Sequence, residues 1–514
     1  MANPDRSDAS RNRLRLECDM SKAIFKTGFL LFSAALALTL AAGCNFAPKY
    51  KVPTLAVMPP AFKETNGWKM AEPSDAVIKG KWWEMFEDPQ LNAMEEQVTV
   101  SNQNIVASFE NFLAARYVVK EAESQLYPTV TAEPEFTKTK PSANGGITVG
   151  ATGAGNSKPY SQYYLPLDAS WEPDLWGSIR NTVAASTFSA QATAAQLENL
   201  RLTIQAELAV DFYELRAQDE LIELYSNTIV NFQASFDLTK VLFASGIDSD
   251  LDVAQAETLL DTTQAQATAL GIQRAQYEHA IALLLSQPAS TFSLKPAKRN
   301  YHPPAVPIGL PAQLLERRPD IAAAERSLAS SNAVIGVDRA AFFPTITLTG
   351  TVGLQSSLMS KLLESSSFYW MGAAAASETI FDAGKRKAVT QQAWASWRAG
   401  VANYRQTVLT AFQQVEDNLA SLRILSTETH QQDVAVRASQ RNVDLATQLY
   451  RLGITSYLNV ITAEDSLLSN QQTAVTIHMQ QMTSSVQLVM ALGGGWSTND
   501  LPTPKRVKQS PSSN

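Results

Sequence analysis

The chain has 514 residues, of which 45% are hydrophobic and 18% charged, and this composition is typical of a folded protein. Its formal net charge of −7 argues against a nucleic-acid partner, because such proteins release counterions through a basic face. Length alone favours about three domains, but an internal repeat predicts two elongated copies instead.

The N-terminus has the pattern of a targeting segment. Two lysines precede an apolar run from Phe29 to Ala42, which has the length of a signal-peptide core and is too short to span a bilayer. Small residues and then Cys44 follow, as at a bacterial lipoprotein processing site. We therefore predict a signal peptide over 1–43 and lipidation of Cys44, with Met20 as a candidate translation start. The alternative is an ordinary secretory signal with an incidental cysteine.

The rest of the chain divides by proline content and by periodicity. Proline-punctuated stretches predict extended segments and linkers, whereas periodic stretches predict packed elements. A helix is expected from Pro89 to about Ser124. The predicted segments are an extended lead over 44–88, a first repeat over 89–287, a linker over 288–311, a second repeat over 312–496 and a disordered tail over 497–514.

Four segments are predicted to be strands. Three of them alternate strictly between apolar and polar residues, which gives one apolar face and one polar face. The fourth is rich in alanine and is assigned mainly by its position in the repeat. Each has about the ten residues that a tilted membrane strand needs. They cover Thr129–Phe136, Tyr163–Trp171, Thr345–Leu354 and Phe368–Phe381, and their polar faces include Glu133, Glu135 and the threonines at 345, 347, 349 and 351.

Two long stretches are related by a shift of 207 positions, which takes Gly177 to Gly384, Gly246 to Gly453 and Leu285 to Leu492. No proline lies between the first two glycines of either copy. Each copy therefore predicts a helix roughly 100 Å long at about 1.5 Å per residue. A coiled-coil seam is indicated by apolar residues spaced by four and three, namely Val408, Phe412, Val415, Leu419 and Leu422.

Each long helix is expected to turn back on itself at its tip. Gly246 and Gly453 suit the left-handed position just after a helix. Ser249 and Ser456 follow as N-caps of the returning helices. Each copy is therefore predicted to be a β-hairpin followed by a long helical hairpin.

These elements predict a shared assembly. Four strands are too few to close a membrane barrel, and open strand edges in lipid leave costly unpaired backbone groups. Three copies would supply 12 strands, with the coiled-coil helices continuing the pore as an α-helical tube. The fold class is thus mainly α with a membrane β-barrel. The alternative is a soluble sandwich in which the same alternation marks a core face.

Several motifs resemble one family. Leu314–Ile321 followed by Glu325, Phe343-Pro344, Phe381–Gly384, and Tyr450 with Gly453 and Leu458 occur in the order found in TolC-like outer-membrane efflux factors, in their NodT-type lipoprotein branch. The resemblance implies a homotrimer, lipid-anchored in the bacterial outer membrane and reaching into the periplasm. It also implies a periplasmic adaptor (membrane fusion) protein and an inner-membrane RND-type pump as partners in efflux. Pro319 in this motif also fits the first turn of a helix, which would make the motif structural.

The resemblance further implies a gate at the periplasmic hairpin tips, which the family closes with acidic rings in the second repeat. Here those positions are Asn459 and Thr462, neither of them acidic, whereas the first tip carries three aspartates. The candidate gate residues are Asp248, Asp250, Asp252, Tyr450, Asn459 and Thr462. The alternative is a solvated turn with an N-capping aspartate.

The sequence contains no recognisable active site. Its four histidines lack metal-ligand spacing, and Gly493-Gly494-Gly495 is interpreted as a helix stop rather than a phosphate loop. We therefore expect no catalysis, no cofactor and no metal, and passive conduction of small molecules. Two other classes remain open, a periplasmic adaptor lipoprotein and a structural coiled-coil lipoprotein of the envelope. An adaptor would need one helical hairpin and no membrane strands.

Overall fold

The computed structural model describes residues 45–54, 59, 61–64, 80–140, 142, 159–297, 303–304, 306 and 316–509. The predicted signal peptide and Cys44 lie outside these residues, as does part of the predicted linker. The chain divides into two compact units. The first contains 117–188 and 329–399 together with the residues before 52, and the second contains 52–116, 189–328 and 400–514.

Helices dominate the structure. They are α1 (Pro89–Ser101), α2 (Gln103–Ser124), α3 (Ser178–Ala244), α4 (Asp250–Leu284), α5 (Pro319–Ala340), α6 (Lys385–Arg451), α7 (Tyr457–Ala491) and α8 (Pro504–Lys508). Both α3 and α6 have 67 residues, and both α4 and α7 have 35. Every boundary of the second pair lies 207 positions after its counterpart, which confirms the predicted repeat.

No helix in the described ranges is both long enough and apolar enough to cross a membrane.

The first unit is built on an antiparallel sheet. Its strands are β1 (Thr129–Ala132), β2 (Glu135–Thr139), β3 (Tyr160–Trp171), β4 (Thr345–Ser356) and β5 (Phe368–Ser377). Both β1 and β2 pair with β3, and the order continues from β3 to β4 to β5. The last strand of the first copy therefore pairs with the first strand of the second copy, with Asp168 opposite Thr351.

The two faces of this sheet differ in polarity, as predicted. Directly opposite residues share a face in an antiparallel pair. Thr349, Thr351, Asp168 and Ser170 lie on the polar face, where the Thr351 hydroxyl donates to the Asp168 carboxylate. The other face carries large apolar side chains that are exposed in one copy, namely Val130, Phe136, Leu165, Leu167, Trp171, Leu348, Val352, Phe368 and Trp370.

All four predicted strands have different bounds in the structure, and the first and the fourth differ most. The first is split into β1 and β2 around Pro134, because proline has no N–H to donate to the ladder. Glu133 therefore lies between strands rather than on a strand face. The fourth ends at Ser377 rather than Phe381, since Arg386 donates to the Glu378 side chain and to the Thr379 carbonyl and holds that segment as a connection.

Residues 46 and 48, which follow the predicted lipidation site, are fixed within the first unit. The Asn332 side chain on α5 donates to the Pro48 carbonyl at 2.8 Å. Phe46 stacks on Phe343, with ring centroids 4.4 Å apart, and Trp176 stacks on Phe343 at 5.0 Å. The first described residues of the lead thus lie beside the start of β4, whereas its last residues are not extended, since 82–86 form a 3₁₀ helix.

The second unit has an apolar core formed by both repeats. Residues 82–86 form a short 3₁₀ helix, and Trp82 and Trp83 are buried in this core beside Phe212 and Tyr213. Residues of the predicted seam on α6 are buried as well, with Val408, Val415, Leu419 and Leu422 at most 7% exposed. The coiled-coil spacing is therefore confirmed.

The helix predicted from Pro89 to Ser124 is two helices, α1 and α2, separated by Asn102. The Asn102 side chain accepts from the backbone N–H groups of Asn104 and Ile105, which caps α2. Its amide donates 2.7 Å to the Leu284 carbonyl at the end of α4. Because the Asn102 side chain satisfies backbone groups at two helix ends, it stabilises the break. The prediction of one continuous helix from Pro89 to Ser124 was therefore wrong.

A buried ionic network lies on α3 and α4. Arg216 donates to Asp219 at 2.7 Å, and both side chains are 2% exposed. Arg274 donates to the second carboxylate oxygen of Asp219, also at 2.7 Å, and to the Leu294 carbonyl. Because buried charges need partners, this network fixes the residues that follow the first repeat against its helices.

The Arg317–Asp320 motif is structural, in line with the helix-start interpretation. α5 begins at Pro319, and the buried Arg318 pairs with Asp320 and donates 3.0 Å to the Ala491 carbonyl at the end of α7. Gly493 has a positive φ of 96° and terminates α7, as predicted. A Cβ there would lie 2.0 Å from the Arg317 carbonyl oxygen, so only glycine fits.

The predicted disorder of the tail over 497–514 is wrong for residues 497–509. These residues include a 3₁₀ turn and α8, and Val507 is fully buried. The Arg116 guanidinium donates to the carbonyls of Arg506, Val507 and Gln509. The polar composition of this segment suggested disorder, but Arg116 and the buried Val507 hold it in place.

Candidate functional site

The candidate gate lies at the tips of the two helical hairpins, in the second unit. Gly246 and Gly453 follow α3 and α6 with φ of 70° and 69°. The N–H of each glycine bonds three residues back and that of the next isoleucine bonds five residues back, which is the Schellman arrangement. The predicted C-terminal glycine caps are confirmed in both copies.

At the first tip the returning helix has a complete capping box. Ser249 is the N-cap of α4, and its hydroxyl oxygen accepts from the Asp252 N–H at 3.2 Å. The Asp252 carboxylate accepts from the Ser249 N–H at 3.3 Å and from its hydroxyl at 2.6 Å. Asp252 therefore completes the capping box as the third helical residue, whereas the N-cap is Ser249 and not the aspartate that the alternative to a pore role predicted.

The second tip begins differently. Ser456 occupies the N-cap position of α7, but its side chain makes no capping hydrogen bond. The third helical residue is Asn459 rather than an aspartate, and its amide donates to the Thr455 hydroxyl. The side-chain cap predicted for Ser456 is thus absent, because the residue that would complete the box is bonded elsewhere.

A hydrogen bond to a carboxylate joins the two tips. The Tyr450 hydroxyl on α6 donates to the Asp248 carboxylate in the turn after α3. Tyr450 is buried, and burial together with the bond to Asp248 raises the pKa of the Tyr450 hydroxyl. The bond therefore keeps its proton on Tyr450.

The remaining candidates are not brought into contact with this pair. Asp250 is exposed in the first turn of α4. Asn459 and Thr462 are exposed on α7, and the Thr462 hydroxyl donates to the Leu458 carbonyl of its own helix at 2.8 Å. Of the six predicted gate residues, the structure joins only Asp248 and Tyr450 between the two hairpins.

A small apolar core lies behind the tips. It contains Phe232, Phe236, Ala256, Leu260, Ala446, Tyr450, Tyr457, Val460 and Ala463. Burial and the neighbouring Glu464 raise the pKa of Tyr457 to about 12. Glu464 is itself buried, and one of its carboxylate oxygens accepts from the Ser235 hydroxyl at 3.2 Å.

Sequence reasoning missed Glu464 as a functional candidate. Its position was visible, because Val460, Glu464 and Leu468 are spaced by four and follow the apolar stripe of α7. Burial raises the pKa of the Glu464 carboxyl to about 7, which keeps a substantial fraction of it neutral at neutral pH.

Both tips also expose large apolar side chains. Ile247 and Leu251 at the first tip are 71% and 65% exposed, and their repeat counterparts Ile454 and Leu458 are 68% and 54% exposed. Matching apolar residues at the ends of two hairpins favour contact with another protein.

Among the residues that the structure describes, no group of three or more His, Cys, Asp or Glu side chains is arranged to hold a metal ion.

Comparison with known proteins identifies the family. The model of the family described as "Outer membrane efflux protein" matches residues 95–287 and 310–494. The solvent efflux pump outer membrane protein SrpC of Pseudomonas putida is 31% identical over 465 residues, which cover 90% of this chain and 98% of SrpC.

Solved structures agree with this assignment. The outer-membrane channel OprN aligns with a TM-score of 0.81 and 29% identity over 88% of this chain and 100% of its own. The open state of the MtrE outer membrane channel of Neisseria gonorrhoeae aligns with a TM-score of 0.77 and 26% identity, over 90% and 100% of the two chains. The predicted fold class and family resemblance are confirmed, and the chain belongs to the outer membrane efflux protein family.

Proposed function

We propose that this protein is the outer-membrane channel of a tripartite efflux pump and conducts small molecules passively from the periplasm to the exterior. The observation that carries the proposal is the sheet of the first unit. It presents an exposed apolar face, and within the described residues its outer strands, β1/β2 and β5, each pair with one neighbour. Such a sheet suits lipid on one face and water on the other.

Closure of the barrel requires further copies of the chain. Unpaired strand edges in hydrocarbon cost several kcal/mol for each open backbone group. Four strand positions in each of three copies give the twelve-stranded barrel of a homotrimer, with the threonines and Asp168 facing water. The helical hairpins then continue the conduit into the periplasm as an α-barrel.

The Cys44 lipid anchor is part of the same proposal. Phe46 and Pro48 are bound beside the start of β4, so the chain that follows Cys44 runs along the unit that contains the sheet. Metabolic labelling with palmitate is expected to mark the wild-type chain and not a Cys44→Ser variant. Labelling of both would exclude Cys44 as the acceptor.

The apolar residues exposed at the hairpin tips support a proposal for the partner proteins. Their exposed isoleucines and leucines give a surface that a periplasmic adaptor protein would cover, and the adaptor in turn would couple the channel to an inner-membrane RND-type pump. Relatives such as SrpC are named as components of efflux pumps, which supports the same assembly. The conduit performs no catalysis in this proposal.

The gate is proposed to be held by the bond between Tyr450 and Asp248. It is a charge-assisted contact between the first and second hairpins, and the apolar core beside it supports the same packing. Asp252 serves mainly as a helix cap, while Asp250, Asn459 and Thr462 face solvent at the entrance.

The channel function is tested by purification and reconstitution. The mature protein is expected to require detergent, to run as a heat-sensitive trimer on a denaturing gel and to form pores in planar bilayers. A water-soluble monomer that forms no pores in the absence of detergent would contradict the proposal.

The gate is tested by Tyr450→Phe in the same bilayers. Loss of a hydrogen bond to a charged group is expected to raise the open fraction about tenfold, seen as higher mean conductance. The matched control is Tyr225→Phe, since the Tyr225 hydroxyl also bonds between helices, to Gln266 and Gln472, but away from the tip. Equal conductance in both variants and the wild type would exclude the Tyr450 bond as the gate.

A further inference from the structure

A cavity of about 640 Å³ lies among α3, α6 and α7 in the second unit. Its volume is within the range of small-molecule binding pockets. The apolar part of its wall includes Phe232, Leu238, Val443, Val460 and Leu467. The gate residue Tyr450 is part of its lining, but the cavity itself has no role in the functions proposed above.

One wall of the cavity carries a carboxylate that is incompletely bonded. Glu464 lines the cavity and is 8% exposed. Its Oε1 accepts from the Ser235 hydroxyl, whereas its Oε2 is buried and has no hydrogen-bond partner. A buried carboxylate oxygen without a donor costs free energy, and a ligand N–H would recover it once the Glu464 side chain rotates toward the cavity.

The other charged groups of the cavity favour a cation. Glu220 and Glu223 come from α3 and Asp433 comes from α6, while the facing basic groups are Arg451 on α6 and His478 on α7. The lining thus contains four acidic side chains against one guanidinium and one imidazole. This balance repels an anion of similar size and attracts a positively charged ligand.

The shape and chemistry restrict the cation further. A bare divalent metal ion needs several oxygen ligands, and the described residues contain no such cluster. Apolar walls beside one carboxylate match a protonated amine on an aromatic or aliphatic body, because the body buries apolar area while the ammonium donates to the carboxylate.

We propose that this cavity binds a small organic cation, a protonated amine on an apolar body, with Glu464 as its counter-ion and Ser235 as the residue that orients the carboxylate. The inference depends only on the packing of α3, α6 and α7 and is independent of the proposed channel function.

Proton release distinguishes this site from nonspecific uptake. Burial raises the pKa of Glu464 to about 7, so near pH 7 about half of the carboxyl groups are protonated. A bound ammonium favours the ionised form, and binding is therefore expected to release about half a proton per site at pH 7. A neutral ligand of the same shape would release none from this carboxyl.

The experiment is titration calorimetry on the detergent-solubilised full-length protein. The probes are 1-naphthylmethylamine, which is cationic at pH 7, and 1-naphthalenemethanol, a neutral analogue of similar shape. Repeating the titration in buffers of different ionisation enthalpy gives the number of protons released. Glu464→Gln removes the counter-ion with little change of shape, and Glu257→Gln is the control because Glu257 is the exposed repeat counterpart.

The expected result is amine binding to the wild type and to Glu257→Gln with proton release, and weaker binding of the alcohol. Glu464→Gln should lose about tenfold in amine affinity and all of the proton release, while its alcohol affinity stays unchanged. Equal binding of amine and alcohol by the wild type would overturn the proposal, as would amine binding with proton release in Glu464→Gln. Pore measurements on the same preparations report separately on the channel.

Discussion

The two copies within this chain have the same helix lengths and the same glycine caps, yet they bury different side chains. Arg216 in the first copy is inside an ionic network, whereas its counterpart Arg423 is half exposed and pairs with Glu64. Glu464 in the second copy is buried, whereas its counterpart Glu257 is exposed.

This difference separates the features of the repeat that local sequence determines from those that depend on neighbouring elements. Helix lengths and C-terminal glycine caps depend on local sequence and are found in both copies. Burial of a charge depends on neighbours outside the repeat, such as the Leu294 carbonyl that binds Arg274 beside Arg216. Matched substitutions at paired positions therefore separate the two contributions.

The largest difference is expected between the paired arginines. Arg216→Ala leaves the buried Asp219 with one charged partner fewer and should destabilise the protein by about 3 kcal/mol or more. Arg423→Ala removes a partly exposed ion pair and should cost about 1 kcal/mol or less. Thermal unfolding of the two variants in detergent measures both values, and equal losses would contradict the distinction.

The paired glutamates should differ in their pH dependence. The folded protein holds the Glu464 proton more tightly than the unfolded chain, since the pKa is about 7 rather than 4.5. The stability that this proton contributes is complete below about pH 4.5 and is lost as the pH rises through about 7. Glu464→Gln should therefore match the wild type at pH 4.5 and exceed it by on the order of 3 kcal/mol at pH 8.

The control for that measurement is Glu257→Gln, whose exposed carboxyl should leave the difference between pH 4.5 and pH 8 unchanged. Unfolding curves at the two pH values provide the comparison. If both variants follow the wild type at both pH values, the burial of Glu464 contributes nothing to the pH dependence.

The paired glycines should respond alike. Gly246→Ala and Gly453→Ala each place a side chain at positive φ, where nothing lies within 4 Å of the added Cβ, so the cost is that of the backbone alone. Each should destabilise by about 1–2 kcal/mol. Gly271→Ala, inside α4 and equally open, should instead stabilise by about 1 kcal/mol. Unequal losses at the two tips would show that the turns are not equivalent.

The smallest effect concerns the capping residues. Asp252→Asn should weaken the capping box of the first copy, and Asn459→Asp should allow one to form in the second, each by about 0.5–1 kcal/mol and with opposite sign. Conductance and cation preference are measured on the same variants. If Asp252→Asn leaves the pore properties unchanged, Asp252 acts only in capping. If the variant has a lower cation preference, Asp252 has the predicted role in the pore.

The regular parts of the fold were predictable because they depend on periodicity and on residues close in sequence. The 207-residue shift, the glycine caps and the alternating strands are of this kind. The break at Asn102 was not, because it depends on the Leu284 carbonyl nearly two hundred residues away. The order at the C-terminus likewise depends on Arg116.

The candidate site was predictable only in part. The sequence placed the gate residues at the tips through glycine positions and family resemblance. It did not indicate that Tyr450 bonds Asp248 rather than another aspartate, because three carboxylates lie within five positions of the first tip. The packing of the two hairpins determines that Tyr450 bonds to Asp248, and no local sequence pattern predicts this pairing.

The sheet has two dissimilar borders, the Pro134-interrupted β1/β2 and the alanine-rich β5. Joining β5 of one copy to β1/β2 of the next is a head-to-tail contact, which repeats around a rotation axis until the ring closes. Pairing like borders would stop at two copies and leave both other borders open. The asymmetry of a single sheet thus favours a cyclic assembly over a two-fold one.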